Sequence, residues 1–363
     1  MSGLRLIADD LTGALDSAVH FVPAFGPLPV RLTAEGALPA AVALDAASRE
    51  KSAAEAAAIM ARLAPALHAP GALAFLKLDS LLRGHAGGDI AALAPGFAHV
   101  VIAPALPVQA RVTRGGRQMW LKPAGAEPVG EALGDTLPAR GLPVTRTHPG
   151  APLPPGLSLW DAETDTDLDA LVAAGRAAQG PVLWAGAAGL AAALARALPA
   201  VPRALPPLEG PVLGLIGTDH PVMAGQLAAA ARHRCLLTGH DDAAAVRAAM
   251  ARTGLALATL ALPAETPRAA AQAAIAAAFA NLTAALPAPG TLFVSGGETA
   301  RALMAPLGAS GLTVLGEAFP GVPRARFEGG RWAGVTVLTK SGAFGPPDLF
   351  HRLFSPLLTD LHS

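Results

Sequence analysis

The sequence predicts an α/β protein of two domains, each with a largely parallel sheet flanked by helices. Three observations carry that expectation. Short apolar runs recur along the chain, and each is followed by a polar or glycine-rich turn and then an alanine-rich helical stretch. The length of 363 residues is that of about two domains at ~100–200 residues each. A proline-dense stretch, LPAVPRALPPLEGP from Leu198 to Pro211, stiffens the chain and excludes a helix. It places the break near residue 205, with domains 1–205 and 206–363.

The elements follow in order. Leu4–Ala8 is a strand that runs into Asp9-Asp10-Leu11-Thr12-Gly13, and Leu11, Leu15, Ala18, Val19 and Val22 then form a helical stripe. Leu73–Leu78 leads into Asp79-Ser80-Leu81-Leu82-Arg83-Gly84, and the run His99–Ala105 follows. Pro138–Gly156 is rich in proline and glycine and reads as a long surface loop. Past the break, Val212–Ile216 precedes Gly217-Thr218-Asp219-His220, and Leu292–Val294 precedes Ser295-Gly296-Gly297-Glu298-Thr299. Gly316–Pro323 reads as a rigid loop, and Ala325–Glu328, Gly329-Gly330 and Arg331 onward as a hairpin. The run Val335–Leu338 then leads into Lys340-Ser341-Gly342-Ala343-Phe344-Gly345. Parallel sheets gather ligands at the carboxyl ends of their strands, where these turns lie.

Composition excludes several function classes. The 27 basic and 27 acidic residues balance, so nothing draws the chain as a whole to nucleic acid or to an anionic membrane. The single cysteine, Cys235, excludes an intrachain disulfide and a multi-cysteine zinc site. Two aspartates by position 10 interrupt the apolar stretch of a secretory signal. The apolar run from Gly180 to Ala195 falls short of the ~18–20 residues that span a bilayer. The chain reads as soluble and cytoplasmic. None of the four lysines, Lys51, Lys77, Lys122 and Lys340, follows a glycine, so there is no GxxxxGK[ST] loop, and GxGxxG and GxSxG are also missing. Asp165, Asp167 and Asp169 imitate a calcium loop, but Ala170 and Arg176 stand where glycine and glutamate are needed, so they read as an acidic helix start. His233, Cys235, His240, Asp241 and Asp242 match no zinc spacing.

Four constellations carry chemistry. A helix cap accounts for one polar group of Asp9-Asp10-Leu11-Thr12-Gly13, not for two adjacent carboxylates that repel each other, so one is available to a hydroxyl. Lys77 and Asp79 share one face of a strand end, with Ser80 and Arg83 close behind. This set suits a small polyhydroxy acid, because a guanidinium can clamp a carboxylate and an aspartate can accept from hydroxyls. The plainer alternative is a surface ion pair between Lys77 and Asp79. Gly296-Gly297 at a strand-to-helix turn lets backbone N–H groups approach an anion, the alternative being a tight turn capped by Thr299. Gly342 and Gly345 can admit phosphates, with Lys340 supplying charge.

The series ADDLTGA, KLDSLLRG, APALPVQARVT, WAGAAGLA, VSGGETA, GEAFPGVP and KSGAFG, in this order from Ala8 to Gly345, resembles the four-carbon acid sugar kinase family. The resemblance implies an ATP-dependent kinase, working with Mg²⁺, that phosphorylates the terminal hydroxyl of threonate, erythronate or 3-oxo-tetronate. It implies a sugar-binding N-terminal domain, a nucleotide-binding C-terminal domain and an active site in the cleft between them. Carried over by motif, Asp10 is the catalytic base, and Lys77, Asp79, Ser80, Arg83 and Arg111 hold the acid sugar together with Asp9. Thr218, Gly296, Gly297, Glu298, Thr299 and Gly342 hold the nucleotide together with Lys340. The partner is a small sugar acid, with neither nucleic acid nor membrane, and no metal-ligating residue is assigned. The chain departs from the family pattern at several places. Gly115–His148 is shortened, Ala110 and Val112 replace a glycine and a threonine, His85 replaces an asparagine, and Gly217-Thr218-Asp219-His220 replaces a Gly-Ser-x-Ser turn. These changes keep two further readings open: a kinase of a different small sugar acid, and a non-catalytic binder of nucleotide and sugar acid.

Overall fold

The run Leu4–Ala8 becomes β1 (Gly3–Ala8), and nearly every residue of it is buried. That is the mark of a strand covered on both faces, where apolar residues run on instead of alternating. The computed structural model describes residues 2–263 and 265–358. The chain divides into two compact units, Met1–Pro202 and Arg203–Ser363.

In the first unit β1 is followed by α1 (Leu11–Phe25), β2 (Leu28–Arg31), β3 (Ala41–Asp45), α2 (Ala53–Leu63), β4 (Ala72–Lys77), α3 (Ala86–Leu93) and β5 (His99–Ala103). Then come β6 (Arg111–Arg114), β7 (Arg117–Lys122), β8 (Gly125–Pro128), α4 (Leu133–Ala139), β9 (Val144–Thr147), β10 (Gly156–Trp160), α5 (Asp165–Arg176), β11 (Val182–Gly186) and α6 (Ala188–Arg196). The main sheet has the order β2-β3-β1-β4-β11-β5-β10-β9, and each of these pairs is parallel. Ala8 is level with Asp45 on one side and with Lys77 on the other, so the loops after β1, β3 and β4 leave the sheet side by side. The helical stripe holds: Leu11, Leu15, Ala18, Val19 and Val22 of α1 are all buried. The acidic run also begins a helix, with Thr164 capping α5 and Asp167 closing a capping box.

Pro138–Gly156 is not one long loop. It contains β9, which pairs with β10 through Val144–Thr147, a valine and two threonines in four residues that fit a pleated edge strand. The segment Arg111–Pro128 forms a separate antiparallel sheet, β6-β7-β8.

The second unit holds β12 (Val212–Ile216), α7 (Pro221–Ala229), β13 (Arg234–Leu237), α8 (Asp242–Thr253), β14 (Leu255–Leu260), α9 (Arg268–Ala285), β15 (Thr291–Ser295), α10 (Gly297–Leu307), β16 (Gly311–Phe319), β17 (Val322–Glu328), β18 (Thr336–Lys340) and α11 (Leu349–Phe354). Its sheet order is β13-β14-β12-β15-β18-β17-β16. The first five strands are parallel and the last two join antiparallel. The expected rigid loop Gly316–Pro323 is instead the closed end of the β16–β17 hairpin, with Gly321 at φ 76° in its turn. Ile216 is level with Ser295, and Ser295 with Lys340. Three turns therefore emerge together at the carboxyl ends of β12, β15 and β18. Among the described residues no helix is long and apolar enough to cross a membrane.

The first sheet is packed tightly around β11. A Cβ added at Gly186 would lie 2.3 Å from the Ala103 carbonyl oxygen of the neighbouring strand and 2.7 Å from the Leu190 side chain. Gly186→Ala should lower stability by about 1–3 kcal/mol. An unchanged midpoint in chemical denaturation would remove this account of the packing.

Candidate functional site

The first unit's loops converge on a charged cluster built around Arg49. Its guanidinium donates from Nε to Asp9 Oδ2 at 2.7 Å and from Nη2 to Asp9 Oδ1 at 2.6 Å. Its Nη1 donates to Asp10 Oδ2 at 2.5 Å, and Asp79 Oδ1 lies 3.8 Å from Nη2. One planar fork thus ties the β1 loop to the β3 loop and reaches the β4 loop. Asp10 is also the N-cap of α1, its Oδ1 accepting from Gly13 N at 2.8 Å. The structure therefore keeps both readings of the Asp-Asp pair, since Asp10 caps the helix and still stands at the site. Burial pushes the Asp9 carboxyl up, while the charge and hydrogen bonds of Arg49 pull it back.

Lys77 and Asp79 are not a surface ion pair. Both are buried, and Lys77 Nζ donates to the Leu78 carbonyl oxygen at 2.7 Å. Asp79 is gripped by Arg83, with Nε on Oδ2 at 2.9 Å and Nη2 on Oδ1 at 2.6 Å. Burial raises the Asp79 carboxyl, but the Arg83 hydrogen bond and the charges of Arg49, Arg83 and Lys77 outweigh it and hold the group well below the usual range. Arg83 therefore spends its fork on Asp79, although its own side chain is exposed. Arg111 is differently placed. Its Nη1 donates to Ser80 Oγ at 2.5 Å, its Nε is buried without a partner, and burial lowers its affinity for its proton. Among the described residues no carboxylate makes an ion pair with it. The loops carrying these arginines include non-glycine residues with left-handed backbone: Ala47 at φ 49°, Leu82 at φ 53° and Ala110 at φ 55°. Ala110 stands where the family pattern has glycine, and an alanine there costs about 1–2 kcal/mol.

In the second unit the three turns pack so closely that side chains would not fit. A Cβ at Gly217 would fall 1.9 Å from Thr299 Oγ1, and one at Gly342 would fall 2.7 Å from Thr218 Oγ1. Thr299 is not the cap of α10. Gly296 occupies that position at φ 108°, and Thr299 is buried against the turn. Glu298 is exposed beside it. His220 caps α7, its Nδ1 accepting from Val222 N at 3.2 Å, while its own N–H donates to Thr218 Oγ1 at 3.3 Å. Lys340 is 1% exposed, and its Nζ donates to the carbonyl oxygens of Ser341 and Gly342. Among the described residues no carboxylate pairs with it, and burial lowers its pKa to about 8.

Comparison with known proteins decides the family. A model described as a sugar-binding N-terminal domain matches residues 4–137, and one described as a nucleotide-binding C-terminal domain matches residues 190–350. A D-threonate kinase of Cupriavidus necator is 34% identical over 94% of this chain and 94% of its own. The chain belongs to the four-carbon acid sugar kinase family. A D-threonate kinase of Bordetella bronchiseptica is 32% identical over 96% of each chain. Solved structures agree in fold. One from Salmonella typhimurium LT2 superposes with TM-score 0.73 at 23% identity, covering 97% of this chain and 98% of that one. One from Haemophilus influenzae gives 0.69 at 20%, covering 98% and 100%.

The first unit's cluster contains side chains that sequence reasoning missed. Arg49 lies in the polar run Ala47-Ser48-Arg49-Glu50-Lys51, which reads as an ordinary surface turn. Its only local signal is its place after a strand. Gln118 of β7 is buried and donates from Nε2 to the Ser80 and Pro104 carbonyl oxygens at 2.8 and 3.1 Å, pinning the small sheet to the β4 loop. Nothing in its neighbourhood marks it. Among the described residues no group of three or more His, Cys, Asp or Glu could hold a metal ion.

Arg49→Met should be costly. It leaves the buried Asp9 without its fork, and removing one partner of a buried pair costs about 3–5 kcal/mol. Urea denaturation at neutral pH checks this. A loss below about 1 kcal/mol, the range of exposed pairs, would mean the fork is not a structural tie.

Proposed function

We propose that this chain is an ATP-dependent kinase that phosphorylates the terminal hydroxyl of a four-carbon acid sugar of the threonate, erythronate or 3-oxo-tetronate type. The observation that carries the reading is the charge arrangement at the carboxyl ends of β1, β3 and β4. Carboxylates that can accept from hydroxyls stand there with a half-buried cation, Arg111, whose Nε is buried without a partner and which makes no ion pair among the described residues. A ligand with hydroxyls at one end and a carboxylate at the other completes that set. A neutral sugar leaves the guanidinium without a counterion. In this reading Arg111 takes the substrate carboxylate, with Ser80 and Lys77 beside it. Arg83 acts through Asp79, which it already holds. Asp10 orients and deprotonates the acceptor hydroxyl, and Asp9, locked by Arg49, fixes the loop that presents it.

The second unit takes the nucleotide. The turns after β12, β15 and β18 offer backbone N–H groups, the α10 N-terminus and the Lys340 ammonium to phosphates. Thr218, Gly296, Gly297, Glu298, Thr299, Lys340 and Gly342 line this cradle. Phosphoryl transfer asks mainly for positioning and charge neutralisation, which such a cradle supplies. Mg²⁺ keeps most of its waters and binds through phosphates with one or two carboxylates, so the ion that fits here is one carried by the nucleotide.

The test is an ADP-release assay with threonate, erythronate and 3-oxo-tetronate beside the matching tetritols. Acids should turn over and tetritols should not. Equal turnover of both would remove the carboxylate clamp, and nucleotide binding without any turnover would favour a non-catalytic binder. Asp10→Asn keeps the cap acceptor, so the protein should stay folded and bind both ligands while kcat falls roughly 10²–10⁴-fold. A kcat within a factor of two of the parent would take the base role from Asp10.

Nucleotide affinity should depend on pH through Lys340. Its pKa is depressed to about 8 in the free protein, and a bound phosphate favours the charged form, so binding takes up a proton near that pH. ADP affinity should fall as pH rises through 8. Calorimetry in buffers of different ionisation enthalpy should show the proton uptake, and Lys340→Met should abolish it. Uptake that persists in Lys340→Met would assign the proton elsewhere.

A further inference from the structure

One face of the small β6-β7-β8 sheet meets the β4 loop. Across the β6–β7 ladder Arg111 stands opposite Trp120, and Thr113 opposite Gln118. Alternate residues of a strand share a face, so these four side chains lie on one side of the sheet. Two of them meet at Ser80. Arg111 Nη1 donates to Ser80 Oγ at 2.5 Å, and Gln118 Nε2 donates to the Ser80 carbonyl oxygen at 2.8 Å. Ser80 is thus held by its side chain and by its main chain from the same surface.

The Gln118 amide is buried and fully engaged. The side chain is 2% exposed. Its Nε2 also donates to the Pro104 carbonyl oxygen at 3.1 Å, and its Oε1 accepts from Thr113 Oγ1 at 2.8 Å. The amide has one way round, because two carbonyl oxygens can take only N–H donors. The Arg111 main chain is fixed separately. Its carbonyl oxygen accepts from Leu106 N at 2.8 Å, and its own N–H donates to the Leu106 carbonyl oxygen at 3.2 Å. The far end of the hairpin is fixed too, with Asp161 accepting from Gly115 N at 2.7 Å and Gly116 N at 2.8 Å. What Gln118 adds is the place of Ser80 relative to that frame.

We propose that Gln118 is a positioning residue of the acid-sugar site: by holding the Ser80 carbonyl oxygen it sets where Ser80 Oγ stands, and through that hydroxyl the direction of the Arg111 guanidinium. The inference rests on the reading of Arg111 as the group that takes the substrate carboxylate. A guanidinium recognises a carboxylate through a planar fork, so its direction matters as much as its distance. Among the described residues no ion pair orients Arg111. The Trp120 ring, 5.8 Å from its Cζ, attracts the charge without fixing an angle. Rotation of the fork is therefore left to Ser80 Oγ. In a four-carbon acid the carboxylate is at the opposite end from the terminal hydroxyl, so the clamp holds ground state and transition state alike. A misdirected fork then shows in KM and not in kcat.

The experiment is steady-state kinetics with threonate, erythronate and 3-oxo-tetronate on the parent, Gln118→Met, Arg111→Met and the double variant, with Tm measured for each. Gln118→Met should raise KM for the acid roughly tenfold, with kcat changed less than about threefold and KM for ATP unchanged. In the Arg111→Met background the same substitution should raise KM no further, since it acts through that side chain. An Arg111→Met variant with the parent's KM for the acid removes the clamp reading, and the proposal falls with it. A raised KM in Arg111→Met with additive losses in the double variant overturns the proposal alone, and so does an unchanged KM in Gln118→Met. If the parent turns over no acid, the kinase reading fails, and Kd for threonate by calorimetry replaces KM in the same comparison. Thr113 supplies a milder pair. Thr113→Val keeps the shape and loses the hydroxyl bound to the Gln118 amide, so KM for the acid should rise several-fold. Thr113→Ser keeps the hydroxyl and should stay near the parent. The reverse order, with Thr113→Ser the worse, is that of a packing role and overturns the proposal.

Discussion

The first unit's site depends on one guanidinium. Arg49 is held in place by two carboxylates from the loop after β1, and Asp79 after β4 lies within its field. Two adjacent aspartates after a single strand would otherwise repel each other in a place with little water to screen them. The fork turns that repulsion into a three-loop clasp. It also treats the two carboxylates differently. Asp9 is bound bidentately by Arg49, whereas Asp10 gives one oxygen to the helix cap and one to the arginine. Arg83 and Asp79 repeat the device one strand further along, with the same fork geometry.

The second unit solves a different problem with different means. It brings three backbone turns to one place, with Thr299 and Thr218 filling the space that side chains at Gly217 and Gly342 would need. Two of its buried cations, Lys340 and Arg324, are each left to two carbonyl oxygens instead of a carboxylate. The arrangement is short of negative charge where the first unit is rich in it. In the proposed function a phosphate chain occupies the one and a hydroxy acid the other.

Much of this was legible in the sequence, for a local reason. A strand covered on both faces shows as an apolar run, a turn at its end shows as glycine or charge, and the two together locate the carboxyl ends where ligands sit. Val212–Ile216 appears in the structure with the same ends. What stayed hidden was convergence. Arg49 and Asp9 are far apart in sequence, and neither flank of Arg49 differs from a solvated turn. Gln118 reaches Ser80 through a separate three-stranded sheet that no spacing rule foretells. Arg83 fits a clamp by residue type, but its donors are taken up by Asp79 four residues earlier, which spacing alone does not reveal. In Pro138–Gly156 the proline and glycine density hid a short strand whose partner, β10, supplies the ladder.

The side-by-side exit of the loops has a bearing on how such a protein changes over time. Asp9, Asp10, Asp79, Ser80 and Arg83 of the proposed acid-sugar site sit on connections, and the parallel strands beneath hold one another through backbone bonds that do not depend on those connections. Ala110, with its left-handed backbone, and His85, at the head of α3, both lie on connections and leave the ladder of the sheet untouched. A lineage built this way can retune which acid it accepts by trading residues on the rim, one connection at a time, while inheriting its framework intact.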